Sequence, residues 1–282
     1  MTIPANNPEN DRGLTSTATE QLLRRYNVHV QGEGEETLLF CNGLGCSQEI
    51  WQYLTPRLRT RYQLVLFDYP GTGNAQPDAY DAQRHSTLQG YVEDIIAICQ
   101  ALQLQRIILV GHSVGASIAL VTAAYAPTLV SSVVLLAPSP CYLNEPGYYG
   151  GFERVDVDQL LSLMEQDYDG WASLLASLLI GSQNPATLGE QLNGFFCQAD
   201  HLITKNLARL TFYTDVRPVV PSVRMPTLIL QCQQDVAAPE EVGAYLSRHL
   251  PQGTLVIMQA TGHCPHLSAP LETLAAIEAF LG

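Results

Sequence analysis

RIILVGHSVGASIALVTAAYA, residues 106–126, joins an apolar β-branched run, a serine flanked by glycines, and an almost wholly apolar helical stretch. Ile107, Ile108, Leu109 and Val110 read as a strand buried on both faces. ASIALVTAAYA (116–126) is apolar nearly all the way round, so its helix must be central and enclosed. Between them Gly111, Ser113 and Gly115 fit GxSxG, a strand-to-helix turn so sharp that side chains at the glycines would clash with the neighbouring strand and helix. Such a turn holds the Ser113 hydroxyl out at its tip.

Outward from this stretch, short apolar runs alternate with helical patterns: YNVHV (26–30), TLLFC (37–41), YQLVLF (62–67), SVVLLA (132–137), TLILQC (227–232) and TLVIM (254–258). The alternation predicts a mostly parallel sheet wrapped by helices. Ser86 or Thr87 would cap a helix whose buried stripe is Leu88, Tyr91, Val92, Ile95, Ile96, Cys99 and Leu102. From 139 to 216 the strand runs stop. Four amphipathic stripes replace them: Val157, Leu160, Leu161 and Met164; Trp171, Leu174, Leu175, Leu178 and Leu179; Leu188, Leu192, Phe195 and Phe196; and a weaker one over 202–210. The strand pattern resumes at 227, so 139–216 reads as a helical cap inserted into one core built from 21–138 and 217–282, with a separate helical domain as the competing view. Residues 1–20, polar and aperiodic, read as a flexible tail.

A serine hydroxyl is a poor nucleophile until a base takes its proton, and on a strand-elbow-helix scaffold the acid and the histidine follow the serine in that order. Asp235 stands just after TLILQC, at the carboxyl end of a strand, and His263 lies in ATGHCPH, in the loop after TLVIM. Both loops should meet the elbow at one sheet edge. His266 is the rival base, three residues on, where the terminal helix begins. His112 sits within the elbow pointing away from the nucleophile's side, His29 in the first strand and His249 on an exposed helix, while His85 and His201 read as surface loop or helix-start positions. Asp68 in DYPGTG also ends a strand, but it precedes the serine and its tight turn needs a structural aspartate. Acyl transfer further needs backbone N–H groups aimed at the developing oxyanion. Val114 offers one, and Leu44 in NGLGCSQ (42–48) a second, its flanking glycines allowing close approach.

Bulk composition excludes other classes. With 282 residues, 46% hydrophobic and 15% charged, the chain can bury a full core. A net charge of −13 with 14 Lys plus Arg leaves no basic surface for nucleic acid or an anionic membrane. The 7 cysteines are scattered without metal-ligand spacing, so they read as reduced thiols in a cytoplasmic protein, and nothing calls for a metal or other cofactor. The amino terminus lacks the apolar core of a signal peptide, and no run approaches the roughly 18 apolar residues of a membrane span.

Several stretches together carry a resemblance: LFDYPGTG, GHSVGASI, PSPCYLN, YYGGFE, Phe196-Cys197 with Asp200, LILQC with Asp235, and GHCPHLSAP. From about residue 24 to the C-terminus the chain resembles RsbQ-type α/β hydrolases, which are stress-signalling regulators, and their relatives, the plant strigolactone and karrikin receptors. The resemblance implies the α/β-hydrolase fold, the Ser113, Asp235 and His263 triad, and a V-shaped cap of four helices over a mostly apolar pocket. It puts Leu44, Tyr142, Phe152, Leu160, Trp171 and Leu175 on the pocket wall. Asn42 departs from the His or Pro of relatives, and Leu44 and Leu175 stand where phenylalanines are common. The implied function is hydrolysis of a small, largely apolar ester or lactone through an acyl-serine. The alternative is a ligand sensor that activates a partner, a PAS-domain phosphatase, with slow or incidental hydrolysis.

Overall fold

In the computed structural model, which describes residues 16–282, seven strands make one sheet. They are β1 (His29–Gln31), β2 (Thr37–Cys41), β3 (Gln63–Leu66), β4 (Ile107–His112), β5 (Val130–Leu136), β6 (Thr227–Gln233) and β7 (Gly253–Thr261). Their order across the sheet is β1-β3-β2-β4-β5-β6-β7; β1 is antiparallel to β3 and the other pairs are parallel. Each strand overlaps one of the apolar runs of the sequence, although β1 shares only His29 and Val30 with YNVHV. The central β2 and β4 are buried along their whole length, which is why they read as continuous apolar runs rather than as alternating ones.

The helices are α1 (Ser16–Arg25), α2 (Thr55–Leu58), α3 (Leu88–Ala101), α4 (Val114–Tyr125), α5 (Arg154–Gln166), α6 (Tyr168–Ile180), α7 (Ala186–Gln198), α8 (His201–Tyr213), α9 (Glu240–His249), α10 (Pro265–Ser268) and α11 (Pro270–Leu281). Among the described residues, none is long and apolar enough to cross a membrane. Helix α4 follows the elbow and is enclosed, with Val114 through Leu120 all buried. Helices α5 to α8 occupy the connection from β5 to β6. Where the chain leaves the core for these helices and where it returns, the two crossings are tied together: the Val216 N–H donates to the Pro140 carbonyl at 2.7 Å.

Two sequence expectations are corrected. The tail reading of residues 1–20 fails for 16–20, which begin α1, while 1–15 lie outside the described residues. The polar composition hid a helix whose Leu22 packs on the core. His85 is no surface residue: it is fully buried, its Nε2 donating to Asp94 Oδ2 at 2.9 Å while its Nδ1 accepts the Asp81 N–H at 3.0 Å. Asp94 also accepts from the Tyr26 hydroxyl (2.6 Å) and pairs with Arg84 (2.7 Å), so a buried carboxylate is fully partnered. The apolar pattern around DAQRHS gives no hint of this pairing, because the carboxylate comes from α3 and its tyrosine partner from the residue after α1.

Candidate active site

The elbow owes its shape to its glycines. A Cβ at Gly111 would stand 2.5 Å from the Gly115 carbonyl oxygen, and one at Gly115 would stand 2.2 Å from that of Cys41 on β2. Ser113 itself is held at φ 56°, a left-handed conformation costly for a residue with a Cβ, and its N–H is pinned to the Leu136 carbonyl of β5 at 3.1 Å. The strained turn lifts the Oγ off the sheet edge and places it at the start of α4, where the helix's positive end lies.

Asp235 and His263 arrive at the same edge from the loops after β6 and β7. His263 Nε2 lies 2.8 Å from Ser113 Oγ, and His263 Nδ1 lies 2.7 Å from Asp235 Oδ2. The other carboxylate oxygen, Oδ1, accepts the Ala237 and Ala238 N–H groups at 2.9 and 3.1 Å, which fixes the acid's orientation. These contacts assign the imidazole proton to Nδ1 and leave Nε2 to accept the serine proton. All three side chains are buried apart from the face that Ser113 turns to the cavity.

The other histidines are placed elsewhere. The His112 Nε2–H donates to the His263 carbonyl at 2.8 Å, so this ring braces the backbone of His263. Gly43 makes room for it, since a Cβ there would lie 2.6 Å from His112 Nδ1. His266 packs its ring on Trp51 and His112, with centroids 4.9 and 4.4 Å away, and is not hydrogen-bonded to Ser113. Burial pushes both pKa values down, His266 to about 3, so both rings are neutral. Asp68, set aside on sequence, accepts from Asn27, the Gln48 N–H and the Asn74 N–H at 2.7, 2.8 and 2.9 Å and holds its turn together. Asn42 likewise bonds the Phe67 carbonyl and Trp51 Nε1 at 2.9 and 2.7 Å, a structural pairing turned away from the serine.

Leu44 lines the cavity beside Ser113, and Val114 is the first residue of α4. Neither backbone N–H is taken up by another group among the described residues, which leaves both as donors for an oxyanion. The cavity over Ser113 and His263 has a volume of about 240 Å³. Its wall carries five of the six residues named from the resemblance: Leu44, Tyr142, Phe152, Leu160 and Leu175. Trp171 is the exception. It is fully buried and packs on Tyr168 and Phe196, one turn before Leu175 on the same stripe but turned into the α6–α7 contact. The sequence reading missed Thr211 and Phe212 of α8, Val236 and Ala237 after the acid, Leu178 and Leu179 as wall residues, and Asp156. Extending the α8 stripe through Leu207, Ala208, Thr211 and Phe212 would have found two of them. Three larger clefts, of about 520, 600 and 390 Å³, contain none of Ser113, Asp235 and His263.

Tyr142 has a polar role that its place on the wall does not convey. Its hydroxyl is buried 3.2 Å from Ser113 Oγ, and desolvation raises its pKa, so it stays a proton donor. Because the serine donates to His263, the tyrosine donates to the serine oxygen. Tyr142→Phe removes that one donor and little else. We expect kcat for a short ester to fall by about tenfold, the worth of one neutral hydrogen bond made more strongly as charge develops, with KM nearly constant. An unchanged kcat, or a rise in KM alone, would reduce Tyr142 to a piece of wall.

Comparison with known proteins places this geometry among relatives. The model of the Alpha/beta hydrolase family matches residues 38–277. A karrikin insensitive 2 receptor of Petunia hybrida is 37% identical over 246 residues, covering 87% of this chain and 91% of the receptor. A strigolactone esterase of Arabidopsis thaliana is 35% identical over 252 residues, covering 89% and 94%. Among solved structures, a hydrolase from Oleispira antarctica matches with a TM-score of 0.91 at 35% identity, covering 93% of this chain and 97% of that one.

Proposed function

Since this chain belongs to the alpha/beta hydrolase family, we propose that it is a serine hydrolase that cleaves small, largely apolar esters or lactones through an acyl-Ser113 intermediate. The observation that carries this reading is the unbroken relay from Ser113 Oγ to His263 Nε2 and from His263 Nδ1 to Asp235. In it, His263 takes the serine proton as Oγ attacks the carbonyl carbon. Asp235 holds the imidazole in the accepting tautomer and stabilises the imidazolium that forms. The Leu44 and Val114 N–H groups receive the oxyanion. His263 then returns the proton to the departing alcohol, and a water activated by the same nitrogen frees the acid. Residues 139–216 act as the cap that closes the apolar cavity over this chemistry.

Selectivity on the acyl side tests the reading. Leu160, Leu175, Phe152 and Phe212 surround the carbonyl's neighbours with hydrocarbon, so an anionic acyl group would lose its hydration without a partner. We expect methyl hexanoate and a matching lactone to be turned over with kcat/KM at least about tenfold above that of monomethyl succinate, each followed by acid release in a pH-stat. A preference for the succinate ester would overturn the apolar assignment.

One contact favours a second role beside the first. The His263 backbone N–H donates to the Leu179 carbonyl of cap helix α6 at 2.7 Å, and a Cβ at Gly262 would stand 2.4 Å from the Ile180 carbonyl. A shift of α6 is therefore felt directly at the base, and ligand-dependent cap movement could be read by a partner. In its most specific form this is stress signalling of the RsbQ kind with a PAS-domain phosphatase as partner, a form supported by the sequence resemblance. Seven unpaired thiols suit a reducing, cytoplasmic setting for either role.

A further inference from the structure

The cavity over Ser113 is small for a drug-sized ester, since sites for such ligands run to roughly 300–1,000 Å³. At about 240 Å³ it holds a short ester whole, or only the acyl side of a larger one. Its open side is bounded by Leu178 of α6 and Val236, the residue after Asp235, which are 46% and 50% exposed. These same two residues line a second cleft of about 600 Å³ that runs outward between α6 and α7. Cavity and cleft thus share a lip.

The two walls of the outer cleft follow from helical spacing. Ser173 and Ser177 sit one turn apart on α6, while Gly189, Glu190 and Asn193 form the facing stripe on α7. The Ser173 and Ser177 hydroxyls and the Glu190 carboxylate make no side-chain hydrogen bond among the described residues, so their hydrogen-bonding capacity is open to a ligand. Among the described residues, Glu190 is the one charged residue of this lining, and Asp156 is the one carboxylate lining the inner cavity. Among the described residues, no lysine or arginine lines either space.

Resting on the hydrolase reading above, we infer that the substrate is bipartite: a small apolar acyl group fills the cavity at Ser113, and a neutral or cationic, hydroxyl- or amide-bearing alcohol half crosses the Leu178–Val236 lip into the α6–α7 cleft. The apolar lip matches the link between the halves, and the serines and Asn193 meet the donors and acceptors of the outer half. The Glu190 carboxylate of the outer cleft turns away anionic alcohols such as phosphorylated ones. Specificity for the leaving group is then set about one helix away from the chemistry.

Gly189 supplies a clean test, because a Cβ added there meets nothing within 4 Å and its φ is an ordinary one. Gly189→Leu keeps the helix and fills the cleft without touching the cavity. The substrates are butyrate esters of methanol, of sorbitol and of hydroxyhexanoate, whose alcohol halves are minimal, polyhydroxylated and anionic. We expect Gly189→Leu to lower kcat/KM for the sorbitol ester by roughly tenfold or more while methyl butyrate stays within about twofold. Glu190→Lys should raise kcat/KM for the anionic ester several-fold and leave methyl butyrate alone. Equal effects of Gly189→Leu on the two neutral esters, or no effect on either, would overturn the bipartite inference while methyl butyrate turnover still upheld the hydrolase. An indifferent Glu190→Lys would overturn its charge selectivity. Failure of the wild type to hydrolyse methyl butyrate at all would sink the hydrolase reading and this inference with it.

Discussion

Ser113→Ala is expected to lower kcat for any ester the protein cleaves by on the order of a million-fold, close to 8 kcal/mol of barrier, and to abolish covalent labelling by a sulfonyl fluoride. The size follows from what the hydroxyl does. In the proposed mechanism it alone forms the bond to the acyl carbon, so without it the oxyanion donors can act only on direct attack by water, which leaves a small residual rate. The fold should survive, because alanine and serine bear the same Cβ at φ 56° and meet the same backbone strain. What is lost is one oxygen between His263 Nε2 and the Tyr142 hydroxyl, at 2.8 and 3.2 Å, beside a cavity that solvent can enter. Circular dichroism and binding of an unreactive product should therefore be nearly unchanged. Intact-protein mass spectrometry reads the labelling: one added sulfonyl group on the wild type and none on the variant. Undiminished labelling of Ser113→Ala would place the nucleophile elsewhere.

How far the sequence reached can be seen residue by residue. The elbow was legible because its requirements are local: two glycines with no room for a Cβ, a buried strand before and an enclosed helix after, all within one stretch. The meeting of Asp235 and His263 at Ser113 was legible because parallel strands deliver their C-terminal loops to one edge, so their places after β6 and β7 sufficed. The pocket wall was legible only in part. Spacing on α6 groups Trp171, Leu175 and Leu178 on one side of a helix, but it does not say which neighbour covers each. Trp171 is taken by Phe196 of α7, Leu175 by the cavity, and Leu178 is left half in solvent. His85 was misread for a related reason. Its burial depends on a carboxylate nine positions on and on Tyr26 far before it, and polar pairs of that kind leave no periodic trace.

The relay also separates two histidines that the sequence left in competition. His263→Ala is expected to cost kcat about as much as loss of the nucleophile, roughly a million-fold, because serine and base act as one unit. The double variant Ser113→Ala with His263→Ala should then be no slower than either single one, a non-additivity that independent roles would not produce. His266 should behave differently on every count. Its ring stands behind the site against Trp51 and His112, and burial holds its pKa near 3, far below the range in which a base is effective at neutral pH. His266→Ala removes a fully buried ring and should cost about 3 kcal/mol of stability in urea unfolding. Some loss of activity could follow from that alone, so His266→Phe is the decisive companion. Phenylalanine keeps the ring packing and removes both nitrogens, which in the native chain bond no protein group among the described residues. We expect His266→Phe to retain kcat within about tenfold and to label with the sulfonyl fluoride at near the native rate, since nothing in the proton path from Ser113 Oγ through His263 to Asp235 has changed. The opposite pattern, with His263→Ala still labelling and His266→Phe inert, would move the base to His266 and break the relay on which the hydrolase reading stands.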